Sequence, residues 1–113
     1  MIIGFEYELF IKFKPTFATR PGDEIYIITR RRNRREMINE LKELGLSYHK
    51  LLNFVSDEEF DSHDVIRHKK KIIYYYQIPK YYEDNSNEAK TLKQLCPTCE
   101  VILLNNFNNT KDD

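Results

Sequence analysis

The sequence predicts an α/β domain with a mainly parallel sheet, and three observations carry that expectation. Runs rich in β-branched and aromatic residues alternate along the chain with helical patterns that open on capping residues. Two of those runs, Ile25-Tyr26-Ile27-Ile28-Thr29 and Val101-Ile102-Leu103-Leu104, are almost continuously apolar, as strands covered on both faces must be. The chain of 113 residues, 41% apolar and 32% charged, is sized for one core and excludes the disordered and fibrous classes.

Each element follows in order. Ile2 to Phe13 reads as the first strand, alternating imperfectly from Phe5, with Glu6 and Glu8 on one side of an extended chain because they are two residues apart. Pro15 and Arg20-Pro21-Gly22-Asp23 punctuate a short connection to the second strand, Ile25 to Thr29. Asn33 to Glu36 has capping-box spacing, with Glu36 reaching back to the cap; Met37, Ile38, Leu41 and Leu44 recur at helical spacing, and Gly45 ends the helix. Tyr48 to Phe54 is the third strand, and the polar loop Ser56-Asp57-Glu58-Glu59 leads into a helix near Ser62. Val65, Ile66, Ile72, Ile73 and Tyr76 are that helix's apolar positions, and Pro79 marks its end. Lys80-Tyr81-Tyr82 is a short fourth strand that empties into Glu83-Asp84-Asn85. A second capping-box spacing, Asn85 to Glu88, opens a helix with Ala89, Leu92 and Leu95 inward. Val101 to Leu104 is the fifth strand. The domain spans 1–106, and 107–113 is a flexible polar tail.

Composition narrows the setting. Eighteen basic residues balance 18 acidic ones, so net charge gives no push toward nucleic acid or membrane. No apolar run approaches the ~20 residues that cross a bilayer, and the start lacks the pattern of a signal peptide, so no membrane partner and a cytoplasmic location are expected. In parallel α/β folds, ligands bind at the carboxyl ends of the strands. There the sequence places Glu6 and Glu8, Thr29, and Glu83-Asp84.

These residues carry a resemblance. Ile25 to Thr29, an Arg-rich turn, the helix Glu36–Leu44 and Gly45-Leu46-Ser47-Tyr48-His49-Lys50-Leu51 together resemble the second motif of haloacid dehalogenase-like phosphatases, closest to their small nucleotidase-like branch. Lys69, fourteen residues before Glu83, resembles the third-motif lysine, and Tyr81-Tyr82-Glu83-Asp84-Asn85 the fourth motif. Ile3-Gly4-Phe5-Glu6-Tyr7-Glu8 falls where the family has its DxD motif.

The resemblance implies a minimal, capless, three-layer Rossmann-like domain with a parallel sheet in order 3-2-1-4-5. It implies catalytic positions at Glu6 (nucleophile), Glu8 (acid/base), Thr29 and Lys69; phosphate or anion binding by Thr29, Arg31 and Lys69; and Mg²⁺ held by Glu6, Glu83 and Asp84.

Two departures set the expected function. Both first-motif aspartates are glutamates, whose extra methylene moves the carboxylate by ~1 Å, a displacement that can cost ~10²-fold in rate. The first connection is also too short for the flap or cap that shields substrate from water. The expected protein is therefore a degenerate phosphatase, or pseudoenzyme, with little or no turnover, which binds an anionic or phosphorylated small molecule or a protein partner. The alternatives are an active Mg²⁺-dependent phosphatase or 5'-nucleotidase-like hydrolase, and a nucleic-acid-binding protein. The last would use the basic runs Arg30–Arg35 and Arg67–Lys71, the second of them followed by Tyr74-Tyr75-Tyr76. An anionic ligand is expected on Arg31 with at least one of Arg32, Arg34 and Arg35. Cys96-Pro97-Thr98-Cys99, with His63 and His68, contains four zinc-type donors, but the spacing is not that of a zinc finger and structural thiols are the preferred reading.

Overall fold

A computed structural model describes residues 1–13, 19–54 and 62–104. The order is β1 (Ile2–Glu6), α1 (Tyr7–Phe13), β2 (Glu24–Thr29), α2 (Arg34–Glu43), β3 (Lys50–Asn53), α3 (Ser62–Tyr75), β4 (Lys80–Glu83), α4 (Ser86–Leu95) and β5 (Glu100–Leu103). All pairings are parallel, and the sheet runs β3-β2-β1-β4-β5. This is the expected Rossmann-like three-layer architecture. The loop at Ser56–Glu59, Pro15 and the tail 107–113 lie outside the described residues.

The two-residue period of the strands sorts the core into two layers. Ile3, Phe5, Ile27, Leu51 and Tyr82 face one side, where they pack with Leu9 and Phe10 of α1 and Met37 and Leu41 of α2. Tyr26, Ile28, Tyr81 and Val101 face the other, against Ile73, Ala89 and Leu92 of α3 and α4. The register keeps the parity in line: Phe5 lies beside both Ile27 and Tyr82, and Gly4 beside Tyr26 and Tyr81. Cys96 and Cys99 are buried free thiols of the second layer, and burial pushes Cys99 up to about 12, the mark of inert core cysteines.

The first strand is shorter than its apolar run. The first strand stops at Glu6, and Tyr7 to Phe13 is helical, so Glu8 stands in the first turn of α1 and not on an extended chain. Tyr7 and Phe10, three apart, are both buried, a helical pair inside what reads as an uneven alternation. The Glu6 carboxylate accepts the Glu8 N–H at 2.7 Å, giving one of the helix's unpaired first-turn donors a partner. Glu8 and Lys12 sit at the helix ends their charges favour. Leu95, expected inward, is partly exposed in the last turn of α4, as are Ile38 and Leu44 at α2.

The helix signals are otherwise realised. Asn33 and Asn85 cap α2 and α4 by accepting the N–H of Glu36 and Glu88. Gly45 follows α2 at φ +68°, the left-handed conformation that glycine adopts without steric cost. Gly4 is required for space rather than for conformation. A Cβ there would lie 2.9 Å from Cδ1 of Tyr81, a ring fully buried and tied by its hydroxyl to Glu83. Because that ring cannot swing away, Gly4→Ala is expected to destabilise by about 1–3 kcal/mol, the range for overpacking a filled core. A urea titration that shows no loss for Gly4→Ala would mean Tyr81 is not held in place. Among the described residues, no helix is long and apolar enough to cross a membrane.

Candidate functional site

Three loops at the carboxyl edge of the sheet enclose a cleft of about 490 Å³. The end of β1 supplies Glu6, and the start of α1 supplies Glu8. The turn after β2 supplies Arg30 and Arg31, α3 supplies Lys69, and the end of β4 with the first turn of α4 supplies Glu83, Asp84, Asn85 and Glu88. Strands β2, β1 and β4 are neighbours, so the residues that follow them meet at one edge of the sheet, and Lys69 joins them from α3. Of the residues expected from sequence, Glu6, Glu8, Arg31, Lys69, Glu83 and Asp84 all line the cleft. Thr29 does not line it: its side chain is buried and its hydroxyl accepts the Arg31 N–H at 3.2 Å, which shapes the turn.

The centre of the site is a buried ion triad. Lys69 Nζ donates to Glu83 Oε1 at 2.7 Å and to Glu88 Oε1 at 2.8 Å, and the side chains of Lys69 and Glu83 are each 1% exposed. Tyr81 donates its hydroxyl to Glu83 Oε1 at 2.8 Å, and the backbone N–H groups of Asp84 and Asn85 donate to Oε2 at 3.1 Å. Each Glu83 oxygen thus accepts two of these donors, and the Asp84 side chain is hydrogen-bonded to the same carboxylate. Burial pushes Glu83 up, but Lys69 and these hydrogen bonds outweigh it and hold the acid below its usual range. Burial likewise favours a neutral Lys69, yet its two carboxylate partners keep it charged and raise it.

Glu88 is the member that sequence reading missed as a site residue. The signal that named it, the capping-box spacing after Asn85, assigns its side chain to the Asn85 N–H. Glu83 already takes that N–H, which leaves the Glu88 carboxylate to turn inward onto Lys69. Half of the box forms, and the other half is replaced by an ion pair.

Glu6 is buried, only 6% exposed, and its carboxyl is pushed up to about 8 by desolvation and by the charges of Asp84 and Glu83; Lys69 and the Glu8 N–H offset this only in part. Asp84 rises to about 6, through burial and through a hydrogen bond and charge repulsion with Glu83. Arg31 pairs with Glu8 and lies 5.1 Å above the Tyr7 ring, a cation–π contact. Arg30 stands 3.8 Å from Glu88. Five carboxylates and three cations line the cleft, and the most deeply buried cation is already matched twice.

Mg²⁺ takes carboxylate oxygens that are free to coordinate, and the three acids that the resemblance assigns to it differ in this respect. Of the three carboxylates the resemblance gives to a metal, Glu83 is saturated. Among the described residues, no group of three or more His, Cys, Asp or Glu side chains is placed to hold a metal ion. His68, one of the four zinc-type donors, packs edge-to-face on Phe54 with ring centroids 5.2 Å apart. The His63 side chain lies outside the described residues. No protein-family model, curated protein or solved structure matches the chain.

Proposed function

We propose that the chain is a haloacid dehalogenase-like domain whose cleft has become structural, a phosphatase-like pseudoenzyme that serves as a binding module. The observation that carries this reading is the triad. In the family the third-motif lysine meets the substrate's phosphoryl group; here Lys69 is enclosed by Glu83 and Glu88 at hydrogen-bond distance on both sides. Two of its three ammonium donors are thereby committed, which leaves at most one for a phosphoryl oxygen; a second contact would have to strip a buried carboxylate of its cation, a change on the order of 3–5 kcal/mol.

The nucleophile position argues the same way. A carboxylate attacks phosphorus only when ionised. With its carboxyl pushed up to about 8, Glu6 is mostly protonated at pH 7. The remaining lining adds more negative than positive charge, which repels a phosphomonoester dianion. Two buried free thiols suit a reducing compartment, and we place the domain in the cytoplasm.

The test is hydrolysis of an aryl phosphate and of nucleoside monophosphates, with and without Mg²⁺, beside Glu6→Gln. The expected rate equals that of the Glu6→Gln protein under every condition. Mg²⁺-dependent hydrolysis that disappears in Glu6→Gln would establish the active-phosphatase reading instead.

A further inference from the structure

The arginine run does not act as one cluster. Arg30 and Arg31 turn into the acidic cleft, whereas Arg34 reaches to the far side of β3. Its Nη1 donates to the Leu51 carbonyl and, at 3.1 Å, to Asn53 Oδ1, which fixes the guanidinium at the mouth of a second groove. That groove, about 750 Å³, runs between the edge strand β3 and α3, within the size range of small-molecule sites. Leu52 and Ile72 form an apolar floor, Tyr75 and Tyr76 form an aromatic end, and Lys71 joins Arg34 as a second cation.

Two features separate this groove from an ordinary gap between elements. Among its described lining residues there is no carboxylate, the reverse of the cleft. In addition, His68 presents an Nε2 with no hydrogen-bond partner, buried in the groove wall, while its ring bonds the Leu52 backbone. Burial and the flanking Lys69 and Lys71 favour the neutral ring. A neutral ring that donates through Nδ1 to a carbonyl has an acceptor at Nε2, so the missing partner is an N–H or O–H donor. A ligand donor would give this buried acceptor the partner it lacks.

The aromatic end is already arranged for stacking. Tyr75 and Tyr76 meet edge-to-face at 4.8 Å, Tyr75 is 79% exposed, and Lys50 lies 5.8 Å from the Tyr76 ring. A large aromatic so open beside cations has the makings of a platform for a π-system that carries negative charge.

We propose that the groove between β3 and α3 binds a nucleobase with its phosphate, the base stacking on Tyr75, a base N–H donating to His68 Nε2, and the phosphate meeting Arg34 and Lys71. The shared chemistry can come from a free mononucleotide or from a single strand. This inference is independent of the reading of the cleft, which uses different residues and a different assay.

The experiment is an amide and histidine ¹⁵N NMR titration of the full chain with adenosine monophosphate, ribose 5-phosphate and a single-stranded oligoadenylate. Adenosine monophosphate should shift Leu51 to Asn53, Tyr75 and the His68 Nε2 resonance, and ribose 5-phosphate should do so far less. Tyr75→Ala, at an exposed position, should weaken binding roughly tenfold, the loss expected for one stacked base. An oligomer that binds much more tightly, with strong salt dependence, identifies a single strand as the source; equal affinity identifies the free nucleotide. Three results would each overturn the proposal: no groove shifts with millimolar nucleotide, equal shifts from ribose 5-phosphate, or unchanged affinity in Tyr75→Ala.

Discussion

Lys69→Met is expected to lower the unfolding free energy by about 3–5 kcal/mol, because it leaves Glu83 and Glu88 facing each other without their cation. The loss is a large fraction of the ~5–15 kcal/mol that holds a domain of this size together. Chemical denaturation followed by circular dichroism reads it directly. Neutralising the acids at the same time, in Lys69→Met/Glu83→Gln/Glu88→Gln, should restore much of the loss, since buried ion pairs can often be replaced by uncharged groups with little penalty. A near-neutral Lys69→Met would mean that the three groups are not a closed buried triad.

Glu6→Gln should act in the opposite direction and stabilise the protein at neutral pH. Glu6 is protonated in the folded state up to about pH 8, while in the unfolded chain it ionises near 4.5. Between those values the folded state holds one more proton than the unfolded state, so this group makes stability fall as pH rises, by ~1.4 kcal/mol per unit. By pH 7 the accumulated penalty is about 3 kcal/mol, which glutamine avoids because it does not ionise. Its amide oxygen can still accept the Glu8 N–H. The gain should be near zero at pH 4.5 and should stop growing above pH 8. Glu83, whose carboxyl is held low, contributes with the opposite sign: its stabilisation is present above the unfolded carboxylate range and is lost as pH falls through its folded value. Denaturation midpoints of the parent and Glu6→Gln between pH 4.5 and 8.5 separate the two. A Glu6→Gln protein no more stable than the parent at pH 7 would show that Glu6 is ionised and solvated there.

Much of the fold is legible in the sequence because it rests on local signals. Ile25–Thr29 and Val101–Leu104 read as buried strands, and β2 and β5 lie within one residue of those runs. Asn33 and Asn85 cap the helices that their spacing announces. The resemblance adds what periodicity does not supply, the strand order, and with it the meeting of Glu6, Arg31, Lys69 and Asp84 in one cleft.

The misses share a physical origin. Tyr7 to Phe13 is short and rich in aromatics, so its composition favours a strand, while the cap from Glu6 and the Tyr7–Phe10 pair favour a helix in the folded chain. Glu88 reads as a capping acid because spacing cannot show that Glu83 already serves the Asn85 N–H. Arg34 reads as one arginine of a run, and only the turn into α2 sends it to a different groove from Arg31. Choices between competing partners are three-dimensional, and a one-dimensional pattern leaves them open.

The claim that the cleft is structural rests on Lys69 being committed to Glu83 and Glu88. The direct measurement is the NMR signal of the Lys69 ammonium group, followed while inorganic phosphate is added at pH 7 with and without Mg²⁺. A buried ammonium held by two carboxylates should give a resolved, slowly exchanging signal that stays in place throughout, while exposed lysines outside both grooves, such as Lys42, respond only to salt. A saturable shift of the Lys69 signal, with an affinity that improves when Mg²⁺ is present, would show the lysine engaging a phosphoryl group and would contradict the account.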